Sequence, residues 1–198
     1  MSNKSNFKTS HKYWVDRYSH GGCAGIGSYG IIASWKAYIV NRFLEKRKIS
    51  HVIDWGCGDG YQASLFNIPD YIGYEISTFA LMHCLETAKN MVCLMASDYD
   101  GKKAELTMSL DVIYHLVEKD VYEAYMERLF DSSTRYVIIY STNEEAKGSN
   151  DHVKHRKFST WVNKNKKNWQ LIETMHNPLP ETKKTGKLAN FYFYEKKQ

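Results

Sequence analysis

The stretch that decides the fold runs from His51 to Gly60 and reads HVIDWGCGDG. An apolar run closes at Asp54, and glycines then occupy every second position, including Gly56 and Gly58. Three alternating glycines lose backbone entropy on folding without an evident gain in packing. The pattern therefore predicts a buried strand followed by a turn whose bare backbone approaches a ligand.

Two other glycine-rich loops are compared with this turn. A dinucleotide-binding turn has the spacing G-x-G-x-x-G, but here the third glycine comes one residue early and Tyr61 follows it. A phosphate-binding P-loop needs G-K-[S/T], and no such tripeptide follows. A structural turn without a ligand stays open as an alternative.

Apolar strands alternate with helical patterns along the rest of the chain. Predicted strands cover 52–55, 71–75, 92–95, 106–112, 135–140, 169–174 and 190–195, and predicted helices cover 31–46, 78–89, 119–130 and 160–167. This alternation predicts an α/β fold with a doubly wound, mostly parallel seven-stranded sheet. Residues 177–187 look like a flexible crossing, so the last two strands are expected to pair antiparallel.

Composition sets the broad class of the protein. The 198 residues fit a single domain over 1–198 and contain 43% hydrophobic and 25% charged residues. The N-terminus is polar and no apolar run reaches membrane-spanning length, which predicts a cytoplasmic protein without a membrane partner. Four cysteines show no metal-ligand or redox spacing, so we expect reduced thiols. The net charge of +5 fits either solvated helix faces or an anionic partner.

The string acid-x-G-x-G-x-G after the first strand resembles motif I of the class I S-adenosylmethionine-dependent methyltransferases. Glu75 closes the second strand, where that family places an acid on the ribose hydroxyls. The segment ASDY follows the third strand at the adenine position, and SLDVIYHL resembles motif IV. The resemblance implies S-adenosyl-L-methionine as cofactor, a Rossmann-like methyltransferase fold, and a set of cofactor-binding residues: Asp54, Gly56, Gly58, Gly60, Glu75, Ser97 and Asp98.

Two features depart from the family pattern. Only residues 61–70 separate the glycine turn from the second strand, so the intervening helix must be unusually short. The stretch YWVDRYSHGGCAGIGSYG lies outside the shared core of 31–198. We interpret residues 1–30 as a lid or front wall that excludes water from the reaction, with a plain flexible loop as the alternative.

Candidate acceptor-side residues follow the fourth and fifth strands, whose carboxyl ends share the ligand-binding edge of the sheet. A general base would suit an oxygen or nitrogen acceptor, and the candidates for the catalytic set are His115, His152 and Asp111. Arg156 is expected to hold an anionic part of the substrate. Candidate substrate contacts are Tyr13, Trp14, Tyr18, His155 and Arg156. A metal bound by Asp111 and the histidines is conceivable, but the spacing does not require one, so no metal is predicted.

Missing motifs narrow the acceptor. The strand-four segment lacks the [DNS]-P-P-[YFW] string of enzymes that methylate base amines, and no proline precedes a cysteine as cytosine-C5 chemistry requires. The favoured acceptor is a small molecule, namely a hydroxyl of a sugar or nucleotide-linked sugar, with or without a phosphate. Methylation of tRNA or rRNA is the alternative, since the lysines and aromatic residues suit RNA. A non-catalytic subunit that binds the cofactor is the third hypothesis.

Overall fold

The computed structural model describes residues 7–147, 150–181 and 189–197. In this part of the chain the sheet strands are β1 His51–Trp55, β2 Asp70–Glu75, β3 Val92–Met95, β4 Ala104–Leu110, β5 Ser133–Ser141, β6 Trp169–Met175 and β7 Asn190–Lys196. The α-helices are α1 Ser10–Ser19, α2 Gly30–Arg47, α3 Thr78–Thr87, α4 Lys119–Asp131 and α5 Phe158–Asn165. A small ribbon pairs Ala146–Lys147 with Lys154–His155. Residues 1–6 of the predicted lid and 182–187 of the predicted crossing lie outside the described residues.

The seven strands form one sheet in the order β3-β2-β1-β4-β5-β7-β6. Neighbours among β1 to β5 pair in parallel, whereas β7 pairs antiparallel with both β5 and β6. The predicted fold class is therefore confirmed, including the antiparallel last strand. The strand order reverses between β1 and β4, and ligands bind such sheets at the carboxyl ends of the strands beside this reversal.

Helices cover both faces of the sheet, as the near-continuous apolar strands require. On β1, Val52 packs into the layer that holds Phe43 of α2, whereas Ile53 packs into the layer that holds Met126 of α4 and Phe158 of α5. Successive strand residues point to opposite faces, so one short strand contributes to both cores. This burial fixes the strand ends, and with them the edge where the glycine turn emerges.

Several element boundaries differ from the sequence-based predictions. The fourth strand was expected to reach residue 112 but ends at Leu110, because Asp111 adopts a left-handed conformation with φ of 62°. The helix predicted over 78–89 ends at Thr87, and the helix predicted from 160 begins at Phe158. The expected short helix after the glycine turn is confirmed, since only the 3₁₀ turn Ala63–Leu65 occupies that place.

The N-terminal segment is helical over Ser10–Ser19, which the sequence analysis did not predict. The Thr9 side chain caps this helix by accepting a hydrogen bond from the Lys12 backbone N–H at 3.1 Å. Ser10 anchors it further, because its backbone N–H and hydroxyl both donate to the Glu118 carboxylate before α4. Across the described residues, no helix combines the length and apolar character needed to cross a membrane.

Candidate active site

The glycine turn leaves β1 with an unusual backbone. Gly56, Gly58 and Gly60 all have positive φ, at 85°, 61° and 79°. A Cβ atom on Gly58 would lie 3.0 Å from the Tyr18 hydroxyl, and one on Gly60 would lie 2.8 Å from the Cα of Cys84. Other residues would therefore be strained at these positions and would collide with their neighbours. The turn is held to β2 because the Gly56 N–H donates to the Tyr74 carbonyl at 2.8 Å.

Two buried carboxylates flank this turn. Asp54 is 3% exposed; its Oδ2 accepts a hydrogen bond from the Tyr71 hydroxyl at 2.9 Å, while its Oδ1 has no partner. Burial raises the pKa of Asp54 to about 7, although the hydrogen bond from Tyr71 and the charge of Lys36 oppose this shift. A buried oxygen without a hydrogen bond is costly, so Asp54 is suited to a ligand that brings a donor.

Glu75 lies at the end of β2, directly opposite the turn. Its Oε2 accepts from the Gly58 N–H at 2.9 Å, and its Oε1 accepts from the N–H groups of Ile76 and Ser77 at 2.7 and 3.1 Å. Burial raises the pKa of Glu75, and the three backbone donors act against that shift. Because a carboxylate offers about four acceptor positions, Glu75 retains capacity for a ligand hydroxyl.

A cavity of about 380 Å³ opens at the carboxyl ends of β1 and β4. Its size falls within the range of small-molecule sites. The predicted residues that line it are Asp54, Gly56, Gly58, Glu75, Asp111, His115, Trp14 and Tyr18. Trp55, Tyr74 and Tyr125 extend the lining towards α4. The fold thus brings most of the predicted cofactor residues and part of the predicted acceptor residues into one space.

Three predicted cofactor residues lie outside that lining. Gly60 packs against Cys84 and shapes the turn from behind. Ser97 and Asp98 are exposed, and the Ser97 hydroxyl donates to Asp98 at 3.2 Å. At the end of β3 it is Ala96 that lines the cavity. The cofactor roles of Ser97 and Asp98 stay predictions that their positions do not favour.

His115 is the predicted catalytic histidine that reaches the cavity. Its Nδ1 lies 3.2 Å from the backbone carbonyl oxygen of His152, which can only accept, so Nδ1 carries the proton. Burial lowers the pKa of His115 to about 4, which keeps the ring neutral at pH 7. Nε2 consequently holds the lone pair, so His115 is in the unprotonated form of a general base, and its low pKa makes it a weak one.

Asp111 lies beside His115 in a fixed position. Lys36 donates from Nζ to Oδ2 at 2.7 Å, and the Tyr114 hydroxyl donates to Oδ1 at 2.7 Å. Gly27 stands against the same carboxylate, because a Cβ there would lie 3.1 Å from Oδ2. These contacts account for the left-handed backbone of Asp111 and hold its carboxylate at the cavity wall.

Helix α1 supplies the aromatic wall of the acceptor side. The Trp14 ring packs edge-on against His115 with centroids 4.8 Å apart, and the Tyr18 ring lies 6.1 Å from Trp14. Tyr13 stacks on His152 at 4.1 Å, and its hydroxyl lies 3.2 Å from His152 Nε2. Tyr13 and His152 therefore support Trp14 and His115 from behind and do not line the cavity.

Arg156 and His155 belong to a supporting layer outside the cavity lining. Arg156 donates to the backbone carbonyls of Leu116 and Val117 at 2.7 and 2.6 Å and stacks over Tyr122 at 4.5 Å. His155 Nδ1 lies 2.6 Å from the Thr142 hydroxyl. The structure gives no support for a substrate contact by either side chain, and that role stays a prediction. Arg156 instead ties the segment before α5 to the loop that carries His115.

Sequence reasoning missed Lys36, which is 1% exposed and lines the cavity. Its Nζ lies 5.2 Å from the Tyr140 ring centre in addition to its contact with Asp111. The signal was present, because Lys36 shares helical spacing with Ala33, Ala37 and Val40 on the buried face of α2. A lysine within an apolar helical stripe needs an internal partner, and this one points into the site.

The expectation of four free thiols is wrong for one pair. Cys84 of α3 and Cys93 of β3 form a disulfide, while Cys23 and Cys57 are free. The separation of nine residues between Cys84 and Cys93 matches no short cysteine motif. The pairing arises from tertiary structure, because α3 packs back onto β3. Among the described residues, the sulfurs of Cys57, Cys84 and Cys93 lie within 4.8 Å of one another, but two of them are joined in the disulfide, so the three could ligate a metal ion only after reduction.

The comparisons with known proteins add to this geometry. No family profile matches the sequence, and no curated protein matches it. The N-methyltransferase NodS from Bradyrhizobium japonicum WM9, in complex with S-adenosyl-L-homocysteine, is similar in structure, with a TM-score of 0.75 and 8% identity over 96% of this chain and 100% of NodS. Magnesium protoporphyrin IX methyltransferase (ChlM) from Synechocystis PCC 6803 with bound S-adenosylmethionine has a TM-score of 0.71 and 15% identity over 97% of this chain and 99% of ChlM.

The methyltransferase domain of the bacterial protein CtHen1-C is also similar, with a TM-score of 0.65 and 18% identity over 83% of this chain and 98% of that chain. At such identities the likeness establishes the fold and leaves the activity to the site. The resemblance stated from motif I is therefore confirmed at the level of the fold.

Proposed function

We propose that this chain, which has the fold of the class I S-adenosylmethionine-dependent methyltransferases, is an enzyme that methylates a small molecule. The favoured acceptor is a hydroxyl of a sugar or a nucleotide-linked sugar. One observation carries the proposal: a single cavity joins the glycine turn and its two buried carboxylates to His115, a neutral, half-buried histidine. Cofactor-binding and proton-accepting groups thus face one space.

The cofactor side of the cavity fits S-adenosylmethionine. The unpartnered Oδ1 of Asp54 suits the ammonium group of the methionine part, and Lys36 is a nearby cation for its carboxylate. The bare backbone at Gly58 admits the ligand next to Tyr18, and Glu75 can accept from a ribose hydroxyl. When bound, the cofactor supplies a methyl group on a sulfonium cation, and the carboxylates of Asp54 and Glu75 suit that positive charge.

The acceptor side of the cavity suits a hydroxyl. His115 Nε2 can accept the hydroxyl proton because Nδ1 is held by the His152 carbonyl. Trp14 and Tyr18 offer apolar faces, while Asp111 and Lys36 offer polar groups at the same wall. A sugar has both kinds of surface, and few precisely placed polar groups in a mainly apolar pocket are typical of small-molecule sites. We propose that the segment predicted as a lid acts as one, because its helix α1 lines the cavity through Trp14 and Tyr18.

Methylation of RNA is the second candidate, because a specific comparison favours it. The small RNA methyltransferase HEN1 is among the similar structures, with a TM-score of 0.66 and 18% identity over 84% of this chain and 25% of HEN1, and this chain carries a net charge of +5. Binding driven by phosphate contacts would weaken steeply with salt. Binding of a neutral sugar in an enclosed cavity would change little with salt.

Calorimetry followed by turnover tests the proposal. S-adenosylmethionine and S-adenosylhomocysteine are expected to bind one per chain, and NAD is expected not to bind. Methyl transfer from labelled cofactor is then measured with nucleotide-linked sugars, free sugars and a short RNA at two salt concentrations. Turnover with sugars supports the proposal, turnover with RNA alone supports the second candidate, and cofactor binding without any turnover supports a non-catalytic subunit. Binding of NAD in place of both adenosyl ligands would overturn the cofactor assignment.

A further inference from the structure

Three cysteines meet directly behind the glycine turn, and we call them the cysteine cluster: Cys57, Cys84 and Cys93. Their sulfur atoms all lie within 4.8 Å of one another. Cys84 and Cys93 form the disulfide, and the Sγ of Cys57 lies 4.0 Å from the Sγ of Cys84. A free thiol at van der Waals distance from a disulfide is the arrangement from which thiol–disulfide exchange proceeds.

Each member of the cluster comes from a different structural element. Cys57 lies inside the glycine turn, Cys84 lies in α3, and Cys93 lies in the edge strand β3. Two glycines make this meeting sterically possible. A Cβ on Gly60 would lie 2.9 Å from the Cys84 sulfur, and a Cβ on Gly73 would lie 2.7 Å from the Cys57 sulfur. The cluster and the turn are therefore in direct contact.

The cavity gives solvent-borne reagents a route to the cluster. All three cysteines are buried, but Cys57 lines the cavity. Burial raises the pKa of the Cys57 thiol well above its ordinary value, with the charge of Glu75 adding to this effect. Since the thiolate is the attacking species, exchange is expected to be slow at neutral pH and faster in alkaline solution.

We propose that the cysteine cluster is a thiol–disulfide exchange site whose state sets the shape of the cofactor turn. The Cys57 sulfur attacks Cys84, a Cys57–Cys84 bond forms, the Cys84–Cys93 bond breaks, and Cys93 leaves as the thiol after taking up the proton that Cys57 lost. This exchange transfers no net electrons. Full reduction to three thiols instead takes two electrons and two protons from an external dithiol or from two glutathione molecules, which leave as a disulfide.

The exchange would alter the shape of the turn because the sulfurs of Cys57 and Cys84 are too far apart to form a bond in the present arrangement. A disulfide needs its sulfurs about 2.05 Å apart, so Cys57 and Cys84 would have to approach from 4.0 Å. The turn packs so closely on α3 that even a Cβ on Gly60 would lie 2.8 Å from the Cys84 Cα, and we expect the turn to shift when the two sulfurs approach. Coupling to cofactor affinity rests on the proposed function, whereas the exchange itself does not.

Peptide mapping of the full chain tests the exchange. The protein is held in a glutathione redox buffer at two pH values, alkylated, digested without reductant and analysed by mass spectrometry. We expect a Cys84–Cys93 linkage, a second population with Cys57–Cys84, and faster exchange at the higher pH. The Cys93→Ser variant should accumulate the Cys57–Cys84 linkage, and Cys23→Ser should behave as wild type because Cys23 is exposed and outside the cluster. Complete alkylation of Cys57 under every condition would overturn the proposal.

Calorimetry with S-adenosylhomocysteine tests the coupling. Oxidised Cys93→Ser should bind it about tenfold more weakly or worse, and a phosphine reductant should restore the affinity. Wild type saturated with the ligand should retain more of the Cys84–Cys93 linkage, which can be measured even if Cys93→Ser folds poorly.

Equal affinity before and after reduction would overturn the coupling, and a stoichiometric metal bound by the reduced cluster would overturn the exchange site. If reduced wild type fails to bind the ligand, the cofactor proposal fails while the peptide map still decides the exchange.

Discussion

The two sides of the cavity are built in different ways. The cofactor side centres on a short stretch around Gly58, and Glu75, which accepts a hydrogen bond from the Gly58 N–H, lies 17 residues away. The acceptor side joins distant segments, since Tyr13 meets His152 across 139 positions and Ser10 meets Glu118 across 108. The first side depends mainly on backbone conformation, and the second depends on packing between side chains.

This difference explains what each side demands of the sequence. A left-handed turn with no room for a Cβ requires glycine, so the requirement is visible in consecutive letters. A histidine whose tautomer is set by a remote carbonyl could be almost any histidine in the chain. The cofactor side should therefore respond to single substitutions in the turn, while the acceptor side should respond only at residues that reach the cavity.

The largest effect is expected from Gly58→Val. The variant forces a β-branched valine into a backbone conformation with φ of 61° and places its Cβ against the Tyr18 hydroxyl. Binding of S-adenosylhomocysteine should therefore become undetectable by calorimetry. Gly101→Val is the matched control, because Gly101 has φ of 91° but nothing within 4 Å of its Cβ position. The control should lose stability and keep binding. Equal binding of S-adenosylhomocysteine by both variants would show that the glycine turn does not contact the cofactor.

The second effect distinguishes the two candidate histidines. His115→Ala should lower turnover by about 10²–10⁴-fold with unchanged cofactor affinity, because the proton acceptor is lost. His152→Ala removes the ring that stacks on Tyr13 but keeps the carbonyl that fixes the His115 tautomer, so turnover should fall by less than about tenfold. A larger loss of turnover in His152→Ala than in His115→Ala would identify His152 as the proton acceptor and His115 as the supporting residue.

The pH profile sharpens this test. A histidine base is active when neutral, above its pKa, and burial lowers the pKa of His115 to about 4. Because the pKa of Asp54 is about 7, the profile is measured at saturating cofactor. We then expect kcat/KM for the acceptor to stay flat between pH 6 and 8 and to fall as the pH approaches 4. An unperturbed histidine would instead give a rise through about pH 6–7. A rise in that range would point away from His115.

The third effect concerns the ribose acid. Glu75→Gln should weaken binding of S-adenosylhomocysteine by about 1.5–3 kcal/mol, because a charged acceptor becomes a neutral amide. Asp98→Asn is the control, since Asp98 is exposed and bonded to Ser97. Calorimetry should show no measurable change for the control. A loss in Asp98→Asn equal to that in Glu75→Gln would restore the adenine role predicted from the sequence.

The sequence predicted the features that depend on local residues and missed those that depend on contacts between distant segments. The strands, their helices and the antiparallel end follow from local periodicity, which needs no partner to be recognised. The end of β4 was misplaced because Asp111 turns left-handed to meet Lys36, a residue 75 positions away. The Cys84–Cys93 bond was missed because it depends on how α3 lies on β3. Long-range contacts of this kind leave no short-range pattern.

The smallest effect on the reaction is expected from Arg156→Ala. The guanidinium donates to the carbonyls of Leu116 and Val117, so its loss should lower the free energy of unfolding by about 1–3 kcal/mol and leave the Michaelis constant for the acceptor within about twofold. Arg42→Ala is the control, because Arg42 is exposed and bonded to Tyr38 on the surface of α2. Thermal denaturation and steady-state kinetics measure the two quantities separately. A large rise in the Michaelis constant with unchanged stability would place Arg156 on the substrate, and the acceptor side would then extend beyond the cavity.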